Sequence, residues 1–173
     1  VDNSGEISSM ENLSIKSKSS TNQKNAIIAA NNVVLDVEND VLNLAKILSD
    51  DSLNISAQNF NNGAMALLFG KSSSLKIAKN LTNLNNIFGD SLTVVAENIN
   101  NNGAIVIKNN SSLTAENLEN EGLINADAQI VNADIVNNKE KAEISANTLL
   151  NFQGDSLSNS GNILSDKNLA INS

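Results

Sequence analysis

The sequence predicts an all-β fold, specifically a right-handed parallel β-helix of about nine coils with a repeat of roughly 19 to 20 residues. Three observations support this prediction: the composition, a recurring Asn-containing string, and an alternating aliphatic pair in each repeat. The apolar residues are nearly all Leu, Ile, Val and Ala, whereas Asn fills 34 of the 173 positions. Aliphatic and β-branched side chains favour closely spaced strands, and Asn favours the turns that join them.

The recurring string has the form apolar-x-Asn-x-Gly-x-Ile and defines one corner of each repeat. Its glycine-equivalent positions lie 18 to 22 residues apart, which predicts one solenoid domain over residues 1–173. The clear copies are at Asn3/Gly5, Asn101/Gly103, Asn120/Gly122 and Asn159/Gly161, with a fifth, Asn61/Gly63, that lacks the leading apolar residue. Degenerate copies are at Gln23/Asn25, Asn43/Ala45, Asn83/Asn85 and Asn138/Glu140.

An aliphatic pair, such as Leu13/Ile15 or Leu92/Val94, follows each corner by about eight to twelve residues. This alternation with a period of two is typical of a strand that has one buried face. A single repeat cannot bury such a face alone, so neighbouring coils must stack with their strands ~4.8 Å apart. We therefore expect columns of Val, Leu and Ile to fill the interior.

The corner itself predicts two further features. The Asn column has the same parity as the buried aliphatic residues, so we expect it inside, where stacked amides hydrogen-bond along the rod. The residue two positions later is mostly Gly or Asn, and both tolerate a positive φ. A left-handed turn is therefore predicted there, although Ala45 and Glu140 fit this pattern less well.

Two regions depart from the repeat. Between Gly63 and Asn85 an apolar run over residues 65–69 is followed by a polar run over residues 70–74, and we expect an outward loop there. Between Val37 and Leu48 the apolar residues also fit a helical stripe, although the register of the repeat continues through that segment.

With the repeat defined, the sequence resembles the haemagglutinin-type repeats of large bacterial exoproteins that are secreted by the two-partner pathway. This group includes filamentous haemagglutinin, contact-dependent inhibition proteins and related adhesins. The resemblance is carried by stretches such as residues 91–105, SLTVVAENINNNGAI, and residues 113–124, LTAENLENEGLI, and it spans all nine repeats. Autotransporter passengers build similar coils from looser repeats.

The resemblance implies a long fibre that is released or exposed on the bacterial cell surface. It implies a role in attachment or in the presentation of a distal active domain, and an outer-membrane transporter as partner during secretion. In this family the secretion domain is N-terminal and toxic domains are C-terminal. Neither is visible in this chain, so we expect an internal shaft segment whose immediate partners are the neighbouring coils of a longer parent protein.

A second hypothesis makes the segment itself a module that binds a glycan or a receptor through a loop of the long coil at residues 65–79. Lys71, Lys76 and Lys79 surround the predicted outward loop and could meet an anionic glycan, although lysines at an edge also serve solubility. The predicted ligand-contact residues are Phe69, Gly70, Lys71, Ser72, Ser73, Lys76 and Lys79.

A third hypothesis, a glycan-active enzyme, depends on Asp36, Glu38 and Asp40, which we expect to share one strand face. Carboxylates can serve as general acid and base, but an outward acidic stripe is more often a solvated surface. The chain has no His, Cys, Arg or Tyr for the usual nucleophile-base pairs, and its Gly-Asp pairs (89–90 and 154–155) do not form a calcium repeat. We therefore expect no catalytic residue, cofactor or metal site.

Charge and hydropathy bear on two further partner classes. The formal net charge of −8 argues against nucleic acid, whose recognition needs basic patches. No apolar run approaches the ~20 residues of a membrane-spanning helix, so we do not expect membrane insertion.

Overall fold

The computed structural model describes residues 1–172, which form sixteen β-strands and no helix. The strands are β1 (Asp2–Asn3), β2 (Glu6–Ser8), β3 (Asn12–Ser17), β4 (Ser20–Asn22), β5 (Ile27–Val37), β6 (Asp40–Asn43), β7 (Lys46–Asn62), β8 (Leu67–Asn83), β9 (Asn86–Val95), β10 (Asn98–Asn101), β11 (Ala104–Asn120), β12 (Leu123–Asn138), β13 (Glu143–Gln153), β14 (Ser156–Asn159), β15 (Asn162–Ser165) and β16 (Asn168–Asn172).

The strands stack in parallel, each on its equivalent in the next coil. Ile105, for example, lies between Ile87 of the preceding coil and Ile124 of the following coil. This is a β-solenoid of about nine coils with a repeat of about 19 residues, so the predicted fold is confirmed. We number the coils 1 to 9 from the Asn at the corner of each: Asn3, Asn22, Asn43, Asn62, Asn83, Asn101, Asn120, Asn138 and Asn159.

Each coil has three runs of extended residues separated by bends. The first run ends at the corner Asn, the second follows the corner turn, and the third lies beyond the next bend. The long strands pass through these bends, where the register shifts, as between Ser49 and Ser52 and between Ala57 and Asn59. Aliphatic side chains from all three runs point inward and form continuous columns, as predicted. One column is Ile or Leu in every coil and is fully buried in the middle seven: Ile28, Ile47, Leu68, Ile87, Ile105, Ile124 and Ile144. Burying each such side chain contributes about 1.5–3 kcal/mol.

The turn after the corner Asn has two lengths, and this variation explains two errors of register. Coils 2, 4 and 8 have two extra residues there, closed by hydrogen bonds from Ala26 N to Gln23 O (3.0 Å), Ala66 N to Gly63 O (2.9 Å) and Ala142 N to Lys139 O (3.1 Å). The corner positions predicted at Gln23 and Asn61 are therefore wrong. Asn22 and Asn62 occupy the column, whereas Asn61 is exposed.

The left-handed turn predicted at the corner glycines is also wrong, because no described glycine has a positive φ. The prediction is confirmed at Asn25 (65°), and the other positive φ among the described residues is at Lys141 (70°); both residues lie in long turns. Gly is needed for close approach between coils, since a Cβ on Gly103 would overlap the carbonyl oxygen of Asn85. The column before the second run is accordingly small in all coils but one: Gly5, Ala26, Ala45, Ala66, Asn85, Gly103, Gly122, Ala142 and Gly161.

Two local predictions are settled by the strand bounds. The outward loop predicted over residues 65–74 is wrong, because β8 runs through this segment and pairs with β7 below and β9 above. Only Met65, in the turn that precedes β8, projects strongly. The helical alternative between Val37 and Leu48 is absent, since β6 and the start of β7 occupy that segment.

Candidate functional site

The most regular polar feature of the protein is a column of nine stacked side-chain amides inside the corner, which we call the buried ladder. It consists of the nine corner Asn residues, of which Asn159 in the last coil is exposed and the other eight are buried. The Nδ2 of each donates to the Oδ1 of the next, from Asn3 to Asn22 (2.9 Å) through to Asn138 to Asn159 (2.8 Å), without interruption. The inner amide ladder expected from the sequence is therefore present in every coil.

The buried ladder also uses the remaining hydrogen-bonding capacity of its amides. In the first eight coils, Nδ2 also donates to a backbone carbonyl oxygen of the next coil, as from Asn101 to Leu123 O (3.1 Å). In several coils the Oδ1 also accepts the N–H two residues later, as from Gly122 N to Asn120 (3.3 Å). Because buried amides without partners cost about 1–3 kcal/mol each, this saturation makes an internal polar column compatible with the core.

A second column of amides runs along the outside of the first run, and we call it the exposed ladder. It consists of Asp40, Asn59, Asn80, Asn98 and Asn117, which stack in register. The Nδ2 atoms donate toward the N-terminus: Asn117 to Asn98 (2.9 Å), Asn98 to Asn80 (3.0 Å), Asn80 to Asn59 (2.9 Å), and Asn59 to the carboxylate of Asp40 (2.7 Å). Its donors therefore point opposite to those of the buried ladder.

The exposed ladder borders a shallow groove of about 250 Å³. The groove is lined mainly by amides, among them Asn98, Asn100 and Asn137, and by the apolar side chain of Ile135. Its charged residue, Glu119, is paired with Lys139 (3.1 Å). The surface is therefore polar, close to neutral and repeated at the spacing of the coils.

The outer side of the second run is different, because apolar residues stack on it. Leu48, Phe69, Phe88 and Val106 follow one another in register and are half-buried by their neighbours. Phe69 therefore faces outward, and its predicted contact with a ligand stays a prediction. We call these four residues the apolar stripe.

The residues predicted to form a ligand-contact loop are spread over β8 instead of gathered in one loop. Gly70 and Ser73 are buried, whereas the polar residues between and beyond them are exposed. No projecting loop brings them to one point, so the geometry behind the hypothesis is lost, while contact of single residues with a ligand stays a prediction. The exposed members are Lys71, Ser72, Lys76 and Lys79.

The three acidic residues of the enzyme hypothesis do not share one strand face, because Asp36 lies in β5, Asp40 lies in β6 and Glu38 lies between the two strands. Asp36 pairs with Lys16 (3.2 Å), and Asp40 accepts the hydrogen bond that ends the exposed ladder. Glu38 lies in the bend between β5 and β6. Within residues 1–172, no group of three or more His, Cys, Asp or Glu side chains is placed to hold a metal ion.

One interior column contains polar residues that the repeat does not explain. Ser111 stacks on Leu92 and on Gln129, and Gln129 stacks on Leu150. Gln129 Nε2 donates to Ile130 O (2.9 Å), but Gln129 Oε1 and Ser111 Oγ are buried without a partner. The unpaired polar atoms of this column therefore lie in coils 6 and 7.

The exposed ladder was missed by the sequence analysis, although a signal for it exists. Asn59, Asn80, Asn98 and Asn117 each lie three residues before a buried-ladder Asn. The corner misplaced at Asn61 concealed this second column, because the residue three positions before Asn61 is Gln58 and not Asn59.

Comparison with protein-family models, with curated proteins and with solved structures finds no match to this chain. Among the described residues there is also no helix with the length and hydropathy needed to cross a membrane. The protein is thus defined at the level of its class, a parallel β-solenoid with amide ladders.

Proposed function

We propose that this chain is a shaft segment of a large secreted or surface-exposed bacterial exoprotein, of the haemagglutinin-type class that its repeats resemble. Its role in this proposal is to provide reach and rigidity and to display a distal domain for adhesion or contact-dependent delivery. The observation that carries the proposal is the uninterrupted buried ladder, which couples all nine coils into one rod about 43 Å long at ~4.8 Å per coil.

Rigidity follows from how this ladder is built. Bending the rod at one coil would stretch the amide-to-amide bond, the amide-to-carbonyl bond and the backbone bonds at that level together. A chain in which each repeat contacts only its neighbours is also readily lengthened, because added repeats create no new kind of contact. Both properties suit a spacer.

The proposal extends to how the protein would reach its site. An exoprotein of this class would cross the outer membrane through a dedicated transporter partner and fold outside the cell. Parallel β-stacking supports this, since coils can be added one at a time as the chain emerges.

The test is an in-register deletion in the exported parent protein. Removing residues 101–137 joins Asn100 to Asn138, deletes two coils and keeps the buried ladder continuous. A shaft shortened by about 9.6 Å, at ~4.8 Å per coil, is expected to keep export and attachment or delivery. Reach can be measured by electron microscopy of labelled fibres.

A matched deletion of residues 101–127 removes a non-integral number of coils and should abolish folding, as measured by circular dichroism of the purified chain. Loss of attachment by the in-register variant, when that variant is exported, folded and shorter by the expected amount, would contradict the shaft role. That result would mean that coils 6 and 7 carry the working site.

A further inference from the structure

We propose that the exposed ladder and the groove beside it bind an extended, uncharged glycan chain that lies along the axis of the rod. This inference is separate from the shaft role, because a spacer needs no ligand. It concerns a surface on coils 3 to 8, which the predicted loop at residues 65–79 does not include.

The amides of the exposed ladder have unused hydrogen-bonding capacity. Each amide has two hydrogens on Nδ2 and can accept two hydrogen bonds on Oδ1. Asn80 and Asn98 each donate once along the exposed ladder through Nδ2, and each Oδ1 accepts from the next amide side chain. The remaining donor and acceptor of each amide are free to face a ligand. Glycan hydroxyls, which both donate and accept, match such a mixed array.

The exposed ladder is also preorganised for binding. An isolated surface Asn samples several rotamers and must be ordered when it binds. The bonds between neighbouring amides at 2.9–3.0 Å already hold Asn80, Asn98 and Asn117 in one orientation. Much of the entropy cost of ordering the binding surface is therefore met when the protein folds, which raises affinity for a ligand that takes this spacing.

The spacing of the amides and the shape of the groove match an extended chain of sugar rings. The amides recur once per coil, at ~4.8 Å, which is close to the length of one pyranose unit in an extended chain. The groove of about 250 Å³ continues past the last amide to Ile135, whose side chain is 46% exposed. Ile135 offers an apolar contact for the C–H face of a sugar ring. An extended chain can therefore meet successive amides with successive rings.

The groove carries little net charge. The one charged side chain lining the groove, Glu119, is neutralised by Lys139. The exposed ladder ends on the carboxylate of Asp40. Nothing in the groove favours a polyanion, and its amide lining gives little apolar area to a protein partner. The chemistry matches a neutral, hydroxyl-rich polymer.

The experiment measures binding of cellohexaose, an extended neutral β-linked probe, to the full chain by isothermal titration calorimetry. Maltohexaose, which has the same sugar but a curved chain, tests the shape requirement, and a heparin-derived hexasaccharide tests charge. The variant is Asn80→Ala/Asn98→Ala, and the matched control is Asn54→Ala, an exposed Asn that lies on another side of the same solenoid. Circular dichroism verifies that each variant keeps its β signal.

Cellohexaose is expected to bind more tightly than the other two probes, and the double variant should lose about tenfold or more in affinity, because two hydrogen-bonding residues are removed. Asn54→Ala should bind as the parent chain does. Absence of cellohexaose binding at millimolar concentration would overturn the proposal. So would preference for the heparin fragment, or an equal loss of affinity in Asn54→Ala. If the double variant fails to fold, Asn98→Ser, which keeps a polar side chain, replaces it with the same expected direction.

Discussion

The buried ladder and the exposed ladder place the same side chain at the same spacing between coils, and their amide-to-amide distances are nearly equal, at 2.8–2.9 Å and 2.9–3.0 Å. They differ in what surrounds them. An amide of the exposed ladder that loses its neighbour regains hydrogen bonds from water. An amide of the buried ladder has no such replacement, so its loss leaves unpaired polar atoms in the core.

This difference teaches that one residue type has two roles in the same coil. Inside, Asn sets the register of the stack, because a shift of one residue would leave the ladder unpaired and turn every aliphatic residue outward. Outside, the same bonds order a surface and leave half of its hydrogen-bonding capacity free.

Breaking the buried ladder should be far more costly than breaking the exposed one. Asn101→Ala removes the bonds to Asn83, Asn120 and Leu123 O, and leaves both neighbouring amides incomplete. We expect a loss of about 3–5 kcal/mol in the free energy of unfolding, measured by urea denaturation. Asn98→Ala, which changes the exposed ladder on the outer side of the same run, should cost less than about 1 kcal/mol. Similar losses in both variants would contradict the distinction.

The close approach of the coils at the corner predicts a smaller loss. A Cβ on Gly103 would overlap the Asn85 carbonyl oxygen, whereas a Cβ on Gly5 would meet no atom within 4 Å. Gly103→Ala is therefore expected to destabilise the protein by about 2 kcal/mol, since the backbones of two coils must separate. Gly5→Ala should be neutral or slightly stabilising, because its φ is not positive. Thermal unfolding followed by circular dichroism compares the two.

The unpaired polar atoms in coils 6 and 7 predict a change in the opposite direction. Gln129→Leu would restore the aliphatic column between Ser111 and Leu150 and remove a buried carbonyl oxygen that has no partner. We expect a gain of about 1 kcal/mol in unfolding free energy. The conservative variant Gln129→Glu should destabilise, because it buries a charge. A loss of stability in Gln129→Leu would show that the side chain is paired in solution.

Deamidation at the two Asn-Gly pairs is expected to have the smallest effect on stability, but its rate should differ between the buried and the exposed Asn. Attack by the glycine N–H on the side-chain amide requires the amide to rotate freely. Asn62 is held by Asn43, Asn83 and Asn86, whereas Asn102 is exposed and contacts only Glu121 through its side chain. Peptide mapping of isoaspartate after incubation should show Asn102 converting roughly tenfold faster in the native protein, because Asn62 must first open locally. In urea the two rates should converge.

Much of this architecture was accessible from the sequence because the repeat expresses it many times. Ile105 and its equivalents lie four residues after the corner Asn in six of the nine coils, so their burial could be predicted from the sequence. The inner position of Asn101 followed from its parity with Ile99 and Ile105. Errors arose where single coils carry insertions, since Asn61 fits the local string as well as Asn62 does.

The role of glycine could not be derived from the string. Residue type alone does not distinguish a position that needs positive φ from one that needs space, and Gly103 is of the second kind because another backbone lies against it. The outward loop at residues 65–74 failed for a related reason. Its serines resemble a turn in isolation, but β7 and β9 on either side supply hydrogen-bonding partners that keep it extended.

The sequence by itself determined the class of fold, the number of coils, the aliphatic interior and the presence of an internal amide column. These properties depend on periodicity along one chain, which is a local pattern repeated nine times. The tertiary structure alone decided which Asn enters the buried ladder in coils 2 and 4, why small residues line the corner, and that a second ladder with reversed donors lies outside. Those properties depend on contacts between coils, whose geometry is set by the turn lengths of both partners.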